Sequence, residues 1–223
     1  MKLFKHFALA AITAALAVAS AQPAEATVIL TFGQAEDGPT ITGTAIAGVT
    51  TINGTNIPVT VSQIDAALLT PLAAYLTLDA TSTGAVVSVG NSLLQSYAGS
   101  FSITSGMDAT GTNYLSGDFT DSVFGAGAAL TLSASEPWNT VSFTSDVIAN
   151  LESIRALSFS FADVTPLAHV EDETLASFQS SVAGTLSASI GDDGPDELPE
   201  PMTMSLLGLG LLGSAVASRR RRQ

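Results

Sequence analysis

The chain has no cysteine, and that absence removes disulfides, thiolate metal sites, thiol nucleophiles and thiol redox chemistry together. A domain without them must be held by burial alone. Positive charge is nearly as scarce. Between Thr27 and Glu200 there are nineteen acidic residues and one basic residue, Arg155, a net charge of −18. Every other Lys or Arg lies in the first five or the last five residues. Contacts to phosphate need a basic surface, so nucleic-acid binding is excluded. Without a lysine in this stretch there is also no phosphate-cradling loop that ends in Lys. Histidine occurs twice, at His6 and His169, too few for an ordinary zinc site. There is one tryptophan, Trp138.

What is present begins with a leader. Lys2, Lys5 and His6 precede an apolar run over residues 7–19, followed by small residues, the layout of a secretory signal peptide. The run is shorter than the roughly 20 residues a spanning helix uses. Two A-x-A sites compete, Ala19-Ser20-Ala21 and Ala24-Glu25-Ala26. The second is favoured: cleavage after Ala26 leaves Thr27 at the head of a strand-like segment. Residues 1–26 are therefore expected to be removed on export.

Residues 27–190 alternate polar Thr and Ser with Val, Ile, Leu, Ala and Phe in short runs broken by Gly and Asn. Val59-Thr60-Val61-Ser62, Leu130-Thr131-Leu132-Ser133 and Leu157-Ser158-Phe159-Ser160-Phe161 show the pattern cleanly. A period of two with one apolar face is a half-buried strand. Many such strands with turn signals between them predict an all-β domain, an antiparallel β-sandwich of about ten strands. Roughly 170 residues suffice for one such core. Asn53-Gly54 predicts a type I′ hairpin. Gly106 to Gly111, Gly125-Ala126-Gly127 and Glu136-Pro137-Trp138-Asn139 predict further turns, with Trp138 expected to cap an open end of the sandwich or to stack on a sugar. Helical signal is thin: a turn or two over residues 145–151, with Ser145 or Asp146 as N-cap, and a second candidate over residues 173–182, against which Ser and Thr density favours a final strand over residues 182–190. Residues 191–198, rich in Asp, Gly and Pro, read as an acidic flexible spacer.

Chemistry is hard to find in this domain. His169 lies among Glu171, Asp172 and Glu173, which reads as a loop of solvated charge. A Ser-His-Asp triad would need His169, and there is no G-x-S-x-G elbow. Asp118 with Asp121, and Glu36 with Asp37, are candidate calcium ligands, though no D-x-D-x-D-G loop supports them. No cofactor, no metal site and no catalytic activity are expected.

The C-terminus is different. Pro199, Glu200 and Pro201 precede an uncharged Leu-, Gly- and Ala-rich run over residues 202–218, and Arg219, Arg220, Arg221 and Arg222 end it. As a helix the run rises about 25 Å, close to the roughly 30 Å of bilayer hydrocarbon once flanking arginines snorkel. The arginines hold that end on the cytoplasmic side. The two prolines keep the motif extended and outside the helix.

This order and spacing over residues 199–223 resembles the PEP-CTERM sorting signal, recognised by exosortases, membrane-embedded transpeptidase-like enzymes of Gram-negative bacteria. Leu198 stands where the family more often has Val. The sortase motif L-P-x-T-G fits less well, since Pro201 and Met202 replace its Thr and Gly. The resemblance implies an exosortase partner, export across the inner membrane and transient anchoring with the domain in the periplasm. Delivery to the cell surface or the extracellular matrix would follow. The expected role is structural or adhesive, associated with exopolysaccharide or biofilm. A carbohydrate-binding module or a hydrolase of matrix polysaccharide is the alternative, favoured if Trp138 and Tyr75, Tyr97 or Tyr114 line one exposed face.

Overall fold

The computed structural model describes residues 26–190, which carry twelve strands and, among the described residues, no helix. The strands are β1 (Thr27–Gln34), β2 (Ile41–Ile46), β3 (Val49–Ile64), β4 (Leu72–Ser82), β5 (Val87–Val89) and β6 (Ser92–Thr104). They continue with β7 (Asn113–Ala126), β8 (Ala129–Ser135), β9 (Ala156–Thr165), β10 (Val170–Glu171), β11 (Thr174–Leu175) and β12 (Phe178–Ala188). Ten of them make one antiparallel sheet, and β10 and β11 form a separate hairpin.

The sheet closes on itself. β1 pairs with both β3 and β12, and β12 pairs with β9, so the sheet is an eight-stranded closed barrel and not a sandwich. Alternation along each strand is the same in both architectures, because each needs only one apolar face. What separates them is the pairing of the first strand with the last, Thr27 with Ala188. That contact spans the domain and leaves no mark on local periodicity.

Interrupted strands explain how twelve segments make eight positions. β1 and β2 lie end to end between β3 and β12: Gln34 opposes Val59, and Thr42 opposes Asn53 farther along β3. β5 continues the line of β4 along β6. Residues 140–144 continue β8 along β7, through bridges from Val141 to Phe119 and from Thr144 to Ser116.

Asn53-Gly54 is not a hairpin. It lies inside β3, where Ile52 and Gly54 face inward and a register shift follows before Ile57. Asn56 sits at φ 54° in that shift. One extra residue there lets the inward phase pass from even to odd numbers, so Ile57, Val59 and Val61 still reach the core. The hairpin forms instead at Ala47-Gly48, both at positive φ, between the paired Ile46 and Val49. Residues 145–151 are not helical, although the Ser145 Oγ accepts from the Val147 and Ile148 amides at 3.1 and 3.0 Å, as an N-cap would.

The interior is filled by aromatic rings. Phe159 lies 5.4 Å from Phe101, 6.0 Å from Phe32 and 6.5 Å from Phe119, measured between centroids. On the opposing strand Gly184 carries no side chain, and a Cβ there would collide with the Phe32 ring. The apolar face is thus turned inward, the reverse of a transmembrane barrel, whose apolar band faces out. No helix of the described residues is long and apolar enough to cross a membrane. The spanning helix expected over residues 202–218 lies outside the described residues.

The two barrel ends differ. Both chain ends leave at one of them, where Thr27 pairs with Ala188, and this terminal end also carries loops 65–71, 105–112 and 145–155. At the far end the β10–β11 hairpin folds Thr174 and Leu175 into the interior, where both are 1% exposed.

Candidate functional site

Most of the residues that the sequence singled out as a site lie beyond the barrel. Pro199, Glu200, Pro201, the arginines 219–222 and Ala24 fall outside the described residues. Ala26 is exposed, and Thr27 opens β1, its hydroxyl donating to the Ala188 carbonyl at 3.4 Å.

Within the barrel the candidate calcium ligands are not brought together. Along β7 the odd-numbered residues Phe119, Asp121 and Val123 face inward, whereas Asp118 is exposed on the outer face. Glu36 and Asp37 are exposed in the loop after β1. Among the described residues no three of His, Cys, Asp and Glu gather as a metal site would require. His169 is exposed, its Nδ1 2.9 Å from the Leu167 carbonyl.

Asp121 is instead a buried acid, 3% exposed. Its Oδ1 accepts from the Ser122 amide, and its Oδ2 has no partner among the described residues. Burial pushes its carboxyl up to about 7, with the Ser122 and Ser133 backbone amides opposing the rise. Alternation along Gly117-Asp118-Phe119-Thr120-Asp121 carried the signal that separates the two aspartates, since residues three apart on a strand face opposite ways.

Across from Asp121 in register stands Tyr97, buried and part of a polar plug under the far end. The Tyr97 hydroxyl donates to Gln95 Oε1 at 3.0 Å, which also accepts from the Leu175 amide at 3.0 Å. Gln95 Nε2 donates to Thr174 Oγ1 at 2.7 Å and to the Gly84 carbonyl at 2.9 Å. Thr50 and Thr174 hydroxyls share a 2.6 Å bond. Burial raises the Tyr97 phenol and keeps it neutral. Such a network fixes the β10–β11 hairpin in place, because each buried group left unpaired would cost about 1–3 kcal/mol.

The second feature is the turn after β8. Trp138 does not cap the barrel: it is 88% exposed. Its turn is pinned nonetheless. The Trp138 and Asn139 amides donate to the Ser135 carbonyl, and Glu136 and Arg155 exchange backbone and side-chain bonds with an ion pair at 3.6 Å. A groove of about 580 Å³ lies beside it, lined by Glu136, Pro137, Asn139, Thr140, Ser153 and Ile154. Ile154 holds φ at 73°, a conformation that costs a β-branched residue about 1–3 kcal/mol. The tyrosines do not join Trp138 on an exposed face, since Tyr97 is buried and Tyr75 and Tyr114 are half-buried.

Comparison with known proteins returns to the tail. Residues 197–222 match the family model described as the PEP-CTERM protein-sorting motif. The chain carries a PEP-CTERM sorting motif, and the match covers that signal, not the barrel. The motif implies export, processing by exosortase, a membrane enzyme, and sorting to the surface. No curated protein and no solved structure matches the chain.

Proposed function

We propose that this is an exosortase substrate whose delivered part is the closed barrel, serving a structural or adhesive role at the cell surface in contact with exopolysaccharide, without catalysis. The sorting motif at residues 197–222 carries the reading. Several features of the barrel support it. Its interior is occupied by a phenylalanine cluster, its buried acid Asp121 faces no second acid, base or cation among the described residues, and its net charge suits an extracellular, non-aggregating surface. Both chain ends leave the barrel side by side, so removing the leader and cutting the tail disturbs no strand of the core.

In this reading residues 202–218 span the membrane until processing, Arg219–Arg222 stay cytoplasmic, and the leader is cut between Ala26 and Thr27. Replacing Pro199, Glu200 and Pro201 by Ala should leave the uncut, membrane-bound chain to accumulate. The check is the C-terminal residue of protein recovered from cells, read by intact mass spectrometry. Mature protein of normal size and location from the variant would end the sorting hypothesis.

A carbohydrate-binding role remains the second reading. The observation favouring it is the pinned, exposed Trp138 beside its groove; the placement of the three tyrosines counts against an aromatic platform.

A further inference from the structure

We propose that the groove beside Trp138 binds a neutral pyranose unit of a polysaccharide, with the indole as stacking face and Asn139, Thr140 and Ser153 as hydrogen-bonding partners. At about 580 Å³ it falls within the roughly 300–1,000 Å³ of sites that hold small molecules. Trp138 lies in the chain between Pro137 and Asn139, which both line the groove, and is 88% exposed. Neither wall is free to drift. In the first, the Trp138 and Asn139 amides donate to the Ser135 carbonyl at 3.1 and 2.9 Å, and the Ser135 amide donates to Asn139 Oδ1 at 3.2 Å. The Thr140 amide donates to Thr120 Oγ1 at 2.9 Å. In the second, the Ser153 carbonyl accepts from the Ser189 hydroxyl, and the Glu152 amide donates to the Ser189 carbonyl at 2.9 Å. The Arg155 amide, 2.8 Å from Glu136 Oε2, ties the two walls together.

A single exposed apolar residue is ordinary on a soluble protein. What gives Trp138 a meaning is the groove next to it, whose hydrogen-bonding groups are held still and left unused. Asn139 Nδ2, Thr140 Oγ1 and Ser153 Oγ make no hydrogen bond among the described residues. Ile154, on the second wall, keeps its strained φ of 73° because Ser153 and Arg155 on either side are tied down. Walls fixed in advance lose little entropy when a ligand arrives. A pyranose matches this arrangement, since it presents an apolar C–H face to an aromatic ring and hydroxyls around its edge to donors and acceptors. One ring beside a polar groove serves one sugar unit; it is not an aromatic platform. Charge then selects the class of sugar. Glu136 and Arg155 pair at 3.6 Å, and Arg155 is the only Lys or Arg among the described residues. No unpaired guanidinium or ammonium group waits for a uronate or a sulfate, and the acidic surface repels both.

The proposal deepens the reading of the barrel as a partner of exopolysaccharide and rests on it. Extracellular polysaccharide from the producing cells is separated by anion exchange into neutral and acidic fractions. The full chain, kept in a sugar-free zwitterionic detergent, is run against each by affinity electrophoresis. Expected is retardation by the neutral fraction, with a blue shift in the emission of Trp138, the chain's one tryptophan. Trp138→Ala should weaken binding roughly tenfold or more, as truncation of a tryptophan anchor does. Thr140→Val combined with Ser153→Ala keeps the indole, and should weaken retardation and emission shift severalfold. Ile46→Ala, at the far end, should leave both as in the wild type. All four positions are exposed, and β-type circular dichroism checks that the fold survives. A chain that binds neither fraction overturns the exopolysaccharide reading, and the proposal with it. Binding to the acidic fraction alone overturns only the proposal. So does neutral-fraction binding that survives either groove variant or falls equally in Ile46→Ala.

Discussion

Replacing Asp121 by Asn should remove most of one specific pH dependence from the barrel's stability. Asp121 is buried on the inner face of β7, and its carboxyl moves from 3.8 when exposed to about 7 in the fold. The native state therefore binds this proton more tightly than the unfolded chain does. Stability from the group is fully present below about pH 4 and is lost as pH rises towards 7, where the native carboxyl ionises without a counter-charge. At about 1.4 kcal/mol per tenfold in the proton equilibrium, the whole span is worth about 4 kcal/mol. Asparagine keeps the shape and an oxygen for the Ser122 amide, and it has nothing to ionise. Urea unfolding followed by circular dichroism at pH 5 and pH 8 measures the effect. Wild type should weaken by a few kcal/mol over that range, and D121N by much less. Repulsion among the other carboxylates acts on both proteins alike, so the difference between the two slopes isolates Asp121. Parallel slopes, equal to within about 0.5 kcal/mol, would refute the assignment of a buried acid without a counter-charge.

Other expectations follow from the same barrel. Phe159→Ala empties the centre of the ring cluster and should destabilise by about 3–5 kcal/mol, read as a lower urea midpoint at unchanged slope. Gly184→Val drives a side chain into the Phe32 ring and should cost about 1–3 kcal/mol or prevent folding. The 27–190 fragment should fold alone without reductant or metal, and loss of its β-type circular dichroism on adding EDTA would contradict that.

Local chemistry was legible in the sequence, and closure was not. Val59 to Ser62 and Leu130 to Ser133 alternate as they do because one side meets the core, and both fall in strands. Ala129, just past Gly127, begins β8 where the glycines predicted a break. Asn53-Gly54 misled because two causes produce the same dipeptide. In a turn Gly supplies positive φ; in β3 Gly54 supplies room, since a Cβ would strike the Ile57 and Ile41 side chains. The barrel depends on β1 meeting β12, a contact set by the sheet's curvature and stagger, which period-two alternation does not encode. Trp138 shows the same gap: an aromatic in a turn is compatible with a buried plug or a solvent-facing ring, and only the pinning by Ser135 and Arg155 decides. The tail was legible because its parts are read in order along the chain, with no folding in between.

The pairing of Thr27 with Ala188 also sets how the protein bears a load. A pull delivered through the C-terminal chain enters at Ala188 and runs along β12. That strand is held on one side by β9, from Ser181 to Ser187, and on the other by β1, from Ala183 to Ala188. Force applied along the strand strains both ladders together, in shear, whereas peeling an edge would break one bond after another. The strand next to the tether is thus gripped from two sides, and mechanical failure requires both seams to slip at once.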